Sequence, residues 1–167
     1  NAGKSSLVAA LTAARPKVAE YPFTTLEPAL GVAEHGNVTF VMVEVPGLIE
    51  GAHRGVGLGH EFLRHVERTR VLVHVLDGTE KDLVDRYLQV RREMELYGHG
   101  LAEKPEVVAV NKVDVPGVQA RYAEVRDRLH GTVRAVHTIS AAGRVGLTDL
   151  LESMVHALAD ERQEVPR

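Results

Sequence analysis

The chain has 167 residues, 44% of them hydrophobic and 26% charged, which suits a single globular domain with a sizeable core. A net charge of −3 supplies no bulk attraction to nucleic acid or anionic membrane, so any RNA contact must rest on local patches. Without cysteine there is no disulfide framework and no thiolate metal site, which fits a reducing cytoplasmic compartment, and no apolar stretch approaches the ~20 residues of a membrane span.

A helix is predicted over Ser5–Ala14, closed by Arg15-Pro16. Residues 16–30 read as irregular, with Pro16, Pro22 and Pro28 spaced through them. Two short strands follow, Gly31–Glu34 and Thr39–Val45, joined as a hairpin by His35-Gly36-Asn37. Glycines 47, 51, 55, 57 and 59 mark a long loop before a helix at His60–Arg68. The run Val71–Leu76 is nearly all apolar, as a strand buried on both faces should be. Asp82–Tyr97 carries Leu83, Tyr87, Val90, Met94 and Tyr97 on one helical stripe. A second buried strand, Glu106–Val110, opens directly into Asn111. Val118, Tyr122, Val125 and Leu129 mark a further helix, Val133–Ile139 the last strand, and Leu147–Leu158 an amphipathic closing helix. This alternation predicts an α/β, three-layer fold with a mostly parallel sheet, spanning residues 1–159, with 160–167 as a polar tail or linker.

The chemistry begins at the first residue. Asn1-Ala2-Gly3-Lys4-Ser5-Ser6 matches the second half of the phosphate-binding loop G-x-x-x-x-G-K-[ST]. Backbone N–H groups at Ala2–Ser5 would point at phosphates, Lys4 would reach the β- and γ-phosphates, and the Ser5 hydroxyl would ligate Mg²⁺. Asn111-Lys112-Val113-Asp114 follows a buried strand, where open α/β sheets bind ligands. The Asp114 carboxylate can accept from N1–H and the exocyclic amino group of guanine, a pair of donors that adenine does not offer; ATP is disfavoured on that ground. Ser140-Ala141-Ala142 lies just beyond the last strand, with the Ala141 N–H placed to contact guanine O6 and Ser140 to brace the loop. In Glu44-Val45-Pro46-Gly47, a GTPase normally has Asp at the Glu44 position. The extra methylene carries the carboxylate about 1.5 Å further out. Either it weakens a metal that demands near-ideal octahedral geometry, or the backbone shifts and Glu44 does the same work, through water. The proline-bearing segment Tyr21–Pro28 holds Phe23, Thr24 and Thr25 beside the nucleotide, with one threonine sensing Mg²⁺ and the γ-phosphate.

The order G-K-S, T-T, x-x-P-G, N-K-x-D, S-A-A resembles the translation-factor-related GTPases. Within them Tyr21-Pro22-Phe23-Thr24-Thr25, Pro46-Gly47-Leu48-Ile49-Glu50-Gly51-Ala52 and Gly57-Leu58-Gly59 with Glu61-Phe62-Leu63-Arg64-His65 are similar to the Obg family, over residues 1–158. YchF-type and DRG-type proteins are the nearest competitors. The resemblance implies a monomeric GTP/GDP switch with Mg²⁺ held by Ser5 and Thr25, a γ-phosphate contact at Gly47, and Lys4, Thr25 and Gly47 as the catalytic set. It also implies a role in large ribosomal subunit assembly and stress signalling. Leu48 stands where Ras-like proteins carry a water-orienting Gln, so slow hydrolysis is expected. Asn1 matches an asparagine that in relatives helps hold K⁺. The alternatives are a binding-only pseudo-GTPase, motivated by Glu44, and an interaction module without nucleotide chemistry.

In this fold the strand preceding the phosphate loop is central, between the strand ending at Glu44 and that at Val71–Leu76. The chain starts inside the loop, so a gap in mid-sheet is expected, along with poor stability or weak GTP binding of the isolated polypeptide. The nine histidines are scattered, with only His60 and His65 close on a helix and His74 in the sheet, and imply no transition-metal site. Arg86, Arg91 and Arg92 read as a solvated helix face.

Overall fold

A computed structural model describes residues 3–12, 17–18, 29–44 and 67–164. The predicted helix at His60–Arg68, the glycine loop at 47–59, the segment 21–28 and the end of the tail fall wholly or mostly outside them. Helix α1 spans Lys4–Leu11 and is followed by strands β1 (Lys17–Val18), β2 (Ala29–His35), β3 (Val38–Val43) and β4 (Leu72–Asp77). Helix α2 (Leu83–Tyr97), a 3₁₀ turn at Leu101–Glu103, β5 (Glu106–Asn111), α3 (Val118–Leu129), β6 (Ala135–Thr138) and α4 (Leu147–Glu164) complete the order.

Two three-stranded sheets result. β1-β2-β3 is antiparallel and β4-β5-β6 is parallel. The β2–β3 hairpin turns on Gly36-Asn37, with His35 opposite Val38 and Gly36 at φ 61°, a value glycine adopts without strain. One expectation is corrected here. Residues 16–30 are not irregular throughout, because Lys17-Val18 pairs with Leu30 and Ala29 at the edge of β2. That pairing is tertiary and leaves no periodic trace in so short a segment.

All six residues of β5 are buried, because strands flank both of its edges and helices cover both faces. Side chains alternate across a strand, and the core divides accordingly. Val107 and Ala109 join Leu7 and Leu11 of α1 and Leu150, Met154 and Leu158 of α4. Val108 and Val110 join Leu83, Val84 and Tyr87 of α2 and Val118, Val125 and Leu129 of α3. The sheet thus has one helical layer on each face, the predicted three-layer arrangement.

β4 departs from expectation. It was expected to be buried on both faces, yet only Leu76 of its six residues is fully buried. β3 and β4 are not paired with each other, and a groove of about 620 Å³ runs between them. Consecutive residues of each strand line it, Thr39–Glu44 on one side and Val71–Val75 on the other, with Leu7 and Val8 of α1 beside them. This is the expected interruption in the sheet, between the two expected strands. The groove is mainly apolar and, of the predicted site residues that are described, reaches only Lys4 and Glu44, so its volume is not that of a nucleotide site.

One buried polar group interrupts the apolar lining. Glu106, 5% exposed, accepts from the Tyr87 hydroxyl at 3.1 Å and from Arg91 at 3.3 Å, and faces His74 Nδ1 at 3.4 Å. Burial, with the Glu106 charge adding to it, pushes the Tyr87 pKa up to about 12, which keeps that hydroxyl a donor. His74 is therefore a partnered sheet residue, as expected. Arg91 is not part of a solvated face: it is half-buried on Glu106 and the Ala102 carbonyl, whereas Arg86 and Arg92 are exposed.

Candidate functional site

Three of the predicted motifs, Gly3–Ser6, Asn111–Asp114 and Ser140–Ala142, meet around the carboxyl end of β5 and the amino end of α1. Gly3 precedes α1 with φ 99°, in the left-handed region, and its carbonyl accepts the first helical bond, from Leu7 N–H at 2.9 Å. A Cβ built on Gly3 would stand 2.1 Å from the side-chain nitrogen of Asn111. Glycine is therefore required twice over at this position, by dihedral and by space. The α1 helix begins with Lys4, so its amino-terminal N–H groups and dipole favour an anion where the lysine also lies. Burial pushes the Lys4 pKa down, opposed by the nearby Glu44 charge.

Asn111 ties the site together. It is 4% exposed, its Oδ1 accepts the Ala141 N–H at 3.0 Å, and its Nδ2 lies against Gly3. One side chain thus connects the phosphate loop, the Asn111–Asp114 loop and the Ser140–Ala142 loop. Ser140, 1% exposed, braces the last loop as expected, accepting the Gly143 N–H at 2.9 Å on its hydroxyl and exchanging backbone bonds with Val145. The Ala141 N–H, expected to meet guanine O6, is engaged on Asn111 instead. Ala142 is the exposed residue beside it.

Asp114 is exposed at the end of its loop, and among the described residues nothing hydrogen-bonds to its carboxylate. Lys112 takes φ 68° and its ammonium lies 2.8 Å from Asp77 Oδ2. Burial acts to raise the Asp77 pKa, but hydrogen bonds from Lys112 and Thr79 outweigh it and the net shift is downward, so the carboxylate stays charged. Asp77 carried no motif and was missed in the sequence. The signal available was Asp-Gly-Thr ending a strand that runs parallel to the one ending in Asn111.

The Ser5 hydroxyl donates to Glu44 Oε2 at 2.8 Å, linking the start of α1 to the residue after β3. Two hard oxygen donors side by side, next to the predicted phosphate loop, are of the kind that Mg²⁺ takes. Among the described residues there is no cluster of three or more His, Cys, Asp or Glu side chains able to hold a metal. Asn1, Ala2, Phe23, Thr24, Thr25 and Gly47 lie outside the described residues, and Ser6 is exposed on α1.

Comparison with known proteins accords with this geometry. Residues 1–112 match the family described as "50S ribosome-binding GTPase". A protein named GTPase Obg from a Synechococcus species is 51% identical over 166 residues, covering 98% of this chain and 48% of the relative. Another of that name, from Caldanaerobacter subterraneus subsp. tengcongensis, is 47% identical over 173 residues, covering 99% and 41%. The chain therefore spans less than half the length of these relatives. Among solved structures, the G domain of the T. maritima FeoB iron transporter superposes with a TM-score of 0.70 at 21% identity, over 95% of this chain and 92% of that one. At that identity the likeness speaks to fold alone.

Proposed function

The chain belongs to the 50S ribosome-binding GTPase family and is of the Obg type, and from that premise we propose that it binds GTP and GDP through the site at Gly3–Ser6, Asn111–Asp114 and Ser140–Ala142 and hydrolyses GTP. The observation that carries this reading is the Asn111 side chain, which holds the phosphate loop, the loop that carries the exposed Asp114 and the Ser140–Ala142 loop in one arrangement. Asp114 selects guanine, with the Ser140–Ala142 loop supplying the contact to O6. Thr25 and Gly47 act on the γ-phosphate, Phe23 and Thr24 contribute to nucleotide binding, and Lys4 supplies positive charge to the β- and γ-phosphates. With Leu48 after Gly47, hydrolysis is slow.

Ser5 and Glu44 would hold Mg²⁺, with Thr25 joining in the triphosphate state; the metal when bound neutralises charge on the phosphates. The 2.8 Å contact with Ser5 supports the reading in which Glu44 does the work of the usual Asp. K⁺ held by Asn1 is proposed to add to that neutralisation of phosphate charge. The family description supports the large ribosomal subunit as partner; action in its assembly, in the cytoplasm and as a monomer, is proposed with it. Among the described residues no helix is long and apolar enough to cross a membrane. Nucleotide binding by the 167-residue polypeptide is proposed to be weak, because the groove leaves β3 and β4 each with an edge that no strand pairs among the described residues.

Phosphate release from GTP tests this reading and the role of Glu44 together. Wild type is expected to turn over GTP only with Mg²⁺. Glu44→Asp should stay within about threefold of it, and Glu44→Ala should fall by about ten- to a hundredfold, the scale of losing a charged group beside the metal. A Glu44→Asp chain more than tenfold faster than wild type would mark Glu44 as an impairment and favour the binding-only alternative.

A further inference from the structure

Resting on the nucleotide reading above, the geometry points to Asp77 as a positioning residue for base recognition, acting through Lys112 to hold the loop that presents Asp114. β4 and β5 run parallel with Asp77 directly opposite Asn111, so the two strands end level, each at the start of a turn. The turn after β4 is built around the Asp77 carboxylate. Its Oδ1 accepts the Thr79 N–H at 2.9 Å and the Thr79 hydroxyl at 2.6 Å, which leaves Oδ2 aimed at Lys112.

The two turns are also locked through their backbones. Gly78 N–H donates to the Asn111 carbonyl at 3.0 Å, and a Cβ at Gly78 would come within 2.5 Å of that same oxygen and 2.4 Å of Val118. Arg121 of α3 donates to the Gly78 carbonyl at 3.0 Å. Against this fixed turn stands a strained one. Lys112 has φ 68°, which a side-chain-bearing residue holds only where its surroundings require it. The Lys112 carbonyl accepts the Val115 N–H at 2.9 Å, closing the short turn that carries Asp114.

An exposed ion pair between two mobile side chains contributes little. This pair differs because one partner is immobilised before the other arrives: Asp77 is 14% exposed and doubly bonded to Thr79. The Lys112 ammonium is therefore anchored to a rigid point on the neighbouring strand, and the left-handed backbone beneath it is held with it. Removing the anchor should loosen the turn and blur the aim of Asp114, so the loss appears in base recognition.

The test is a double-mutant cycle in the full chain, reading GDP, inosine diphosphate and ADP affinity by displacement of a fluorescent GDP. Inosine lacks the exocyclic amino group that Asp114 accepts. Asp77→Ala is expected to weaken GDP about tenfold, the scale of one charge-assisted hydrogen bond, and to narrow the preference for GDP over inosine diphosphate. Added to Lys112→Ala it should change nothing further. Thr79→Val, which removes one of the two bonds fixing Asp77, should narrow the same preference by about two- to threefold and serves if Asp77→Ala does not fold. Additive effects at Asp77 and Lys112, or an unchanged base preference in Asp77→Ala or Thr79→Val, would overturn the inference while leaving the nucleotide reading intact. A wild-type chain with no preference for guanine over adenine would overturn both.

Discussion

Asp114→Asn is expected to turn a guanine site into a xanthine site. The carboxylate accepts from two donors on guanine, N1–H and the exocyclic amino group. An amide in its place offers one acceptor and one donor, and its donor meets the guanine amino group head-on. Xanthine carries a carbonyl at that position and restores both bonds. Sites built on such bonds reject the mismatched ligand strongly, so GDP affinity should fall by about a hundredfold or more while xanthosine diphosphate rises to become the preferred ligand. Because Asp114 is exposed and without a partner among the described residues, the substitution should leave the melting temperature within about 1 °C. A parallel loss of stability and of affinity for both bases would mean that Asp114 is structural and reads no base.

Gly3→Ala is expected to damage the fold and the site at once. The residue sits at φ 99°, where a Cβ is strained, and the new carbon would lie 2.1 Å from Asn111 Nδ2. Asn111 cannot retreat without releasing the Ala141 N–H, so the strain passes from the phosphate loop to the loop beyond β6. A positive φ in a side-chain-bearing residue costs about 1–3 kcal/mol, and a buried polar group left without its partner adds a similar amount. Chemical denaturation should show a loss of at least about 2 kcal/mol, with nucleotide affinity down by about a hundredfold. Asn111→Ala separates the two effects, since it removes the clash partner and the Ala141 acceptor together. Against that background, Gly3→Ala should cost clearly less than it does in the wild type, because only the dihedral strain remains.

Much of this was legible in the sequence. The alternation of helix and strand, the apolar runs ending in Asn111 and near Asp77, and the order of the motifs specify the layers and place the site at the ends of the parallel strands. Local chemistry was read well where it depends on neighbours in the chain, as with Ser140 bracing its own loop. What escaped were relations between distant segments. Asn111 was read as the start of a base-binding motif, but its grip on Gly3 and Ala141 joins three segments and has no local signature. Asp77 reads as the first residue of an ordinary Asp-Gly turn, and only the parallel register with Asn111 gives it a partner. Arg91 reads as a solvated cation because Glu106, its buried partner, stands at the head of the apolar run Val107–Val110. Lys17-Val18 became a strand through pairing with β2 alone.

The central claim is that Asp114, set by Asn111 and Lys112 beside the phosphate loop, makes this a guanine-nucleotide site. It is tested most directly by competition against a fluorescent GDP, carried to millimolar nucleotide so that weak binding is read. The account predicts that GDP and GTP displace the probe at concentrations at least about a hundredfold below those needed of ADP and ATP, the scale of two specific hydrogen bonds to the base. Displacement by adenine and guanine nucleotides at equal concentrations would contradict it.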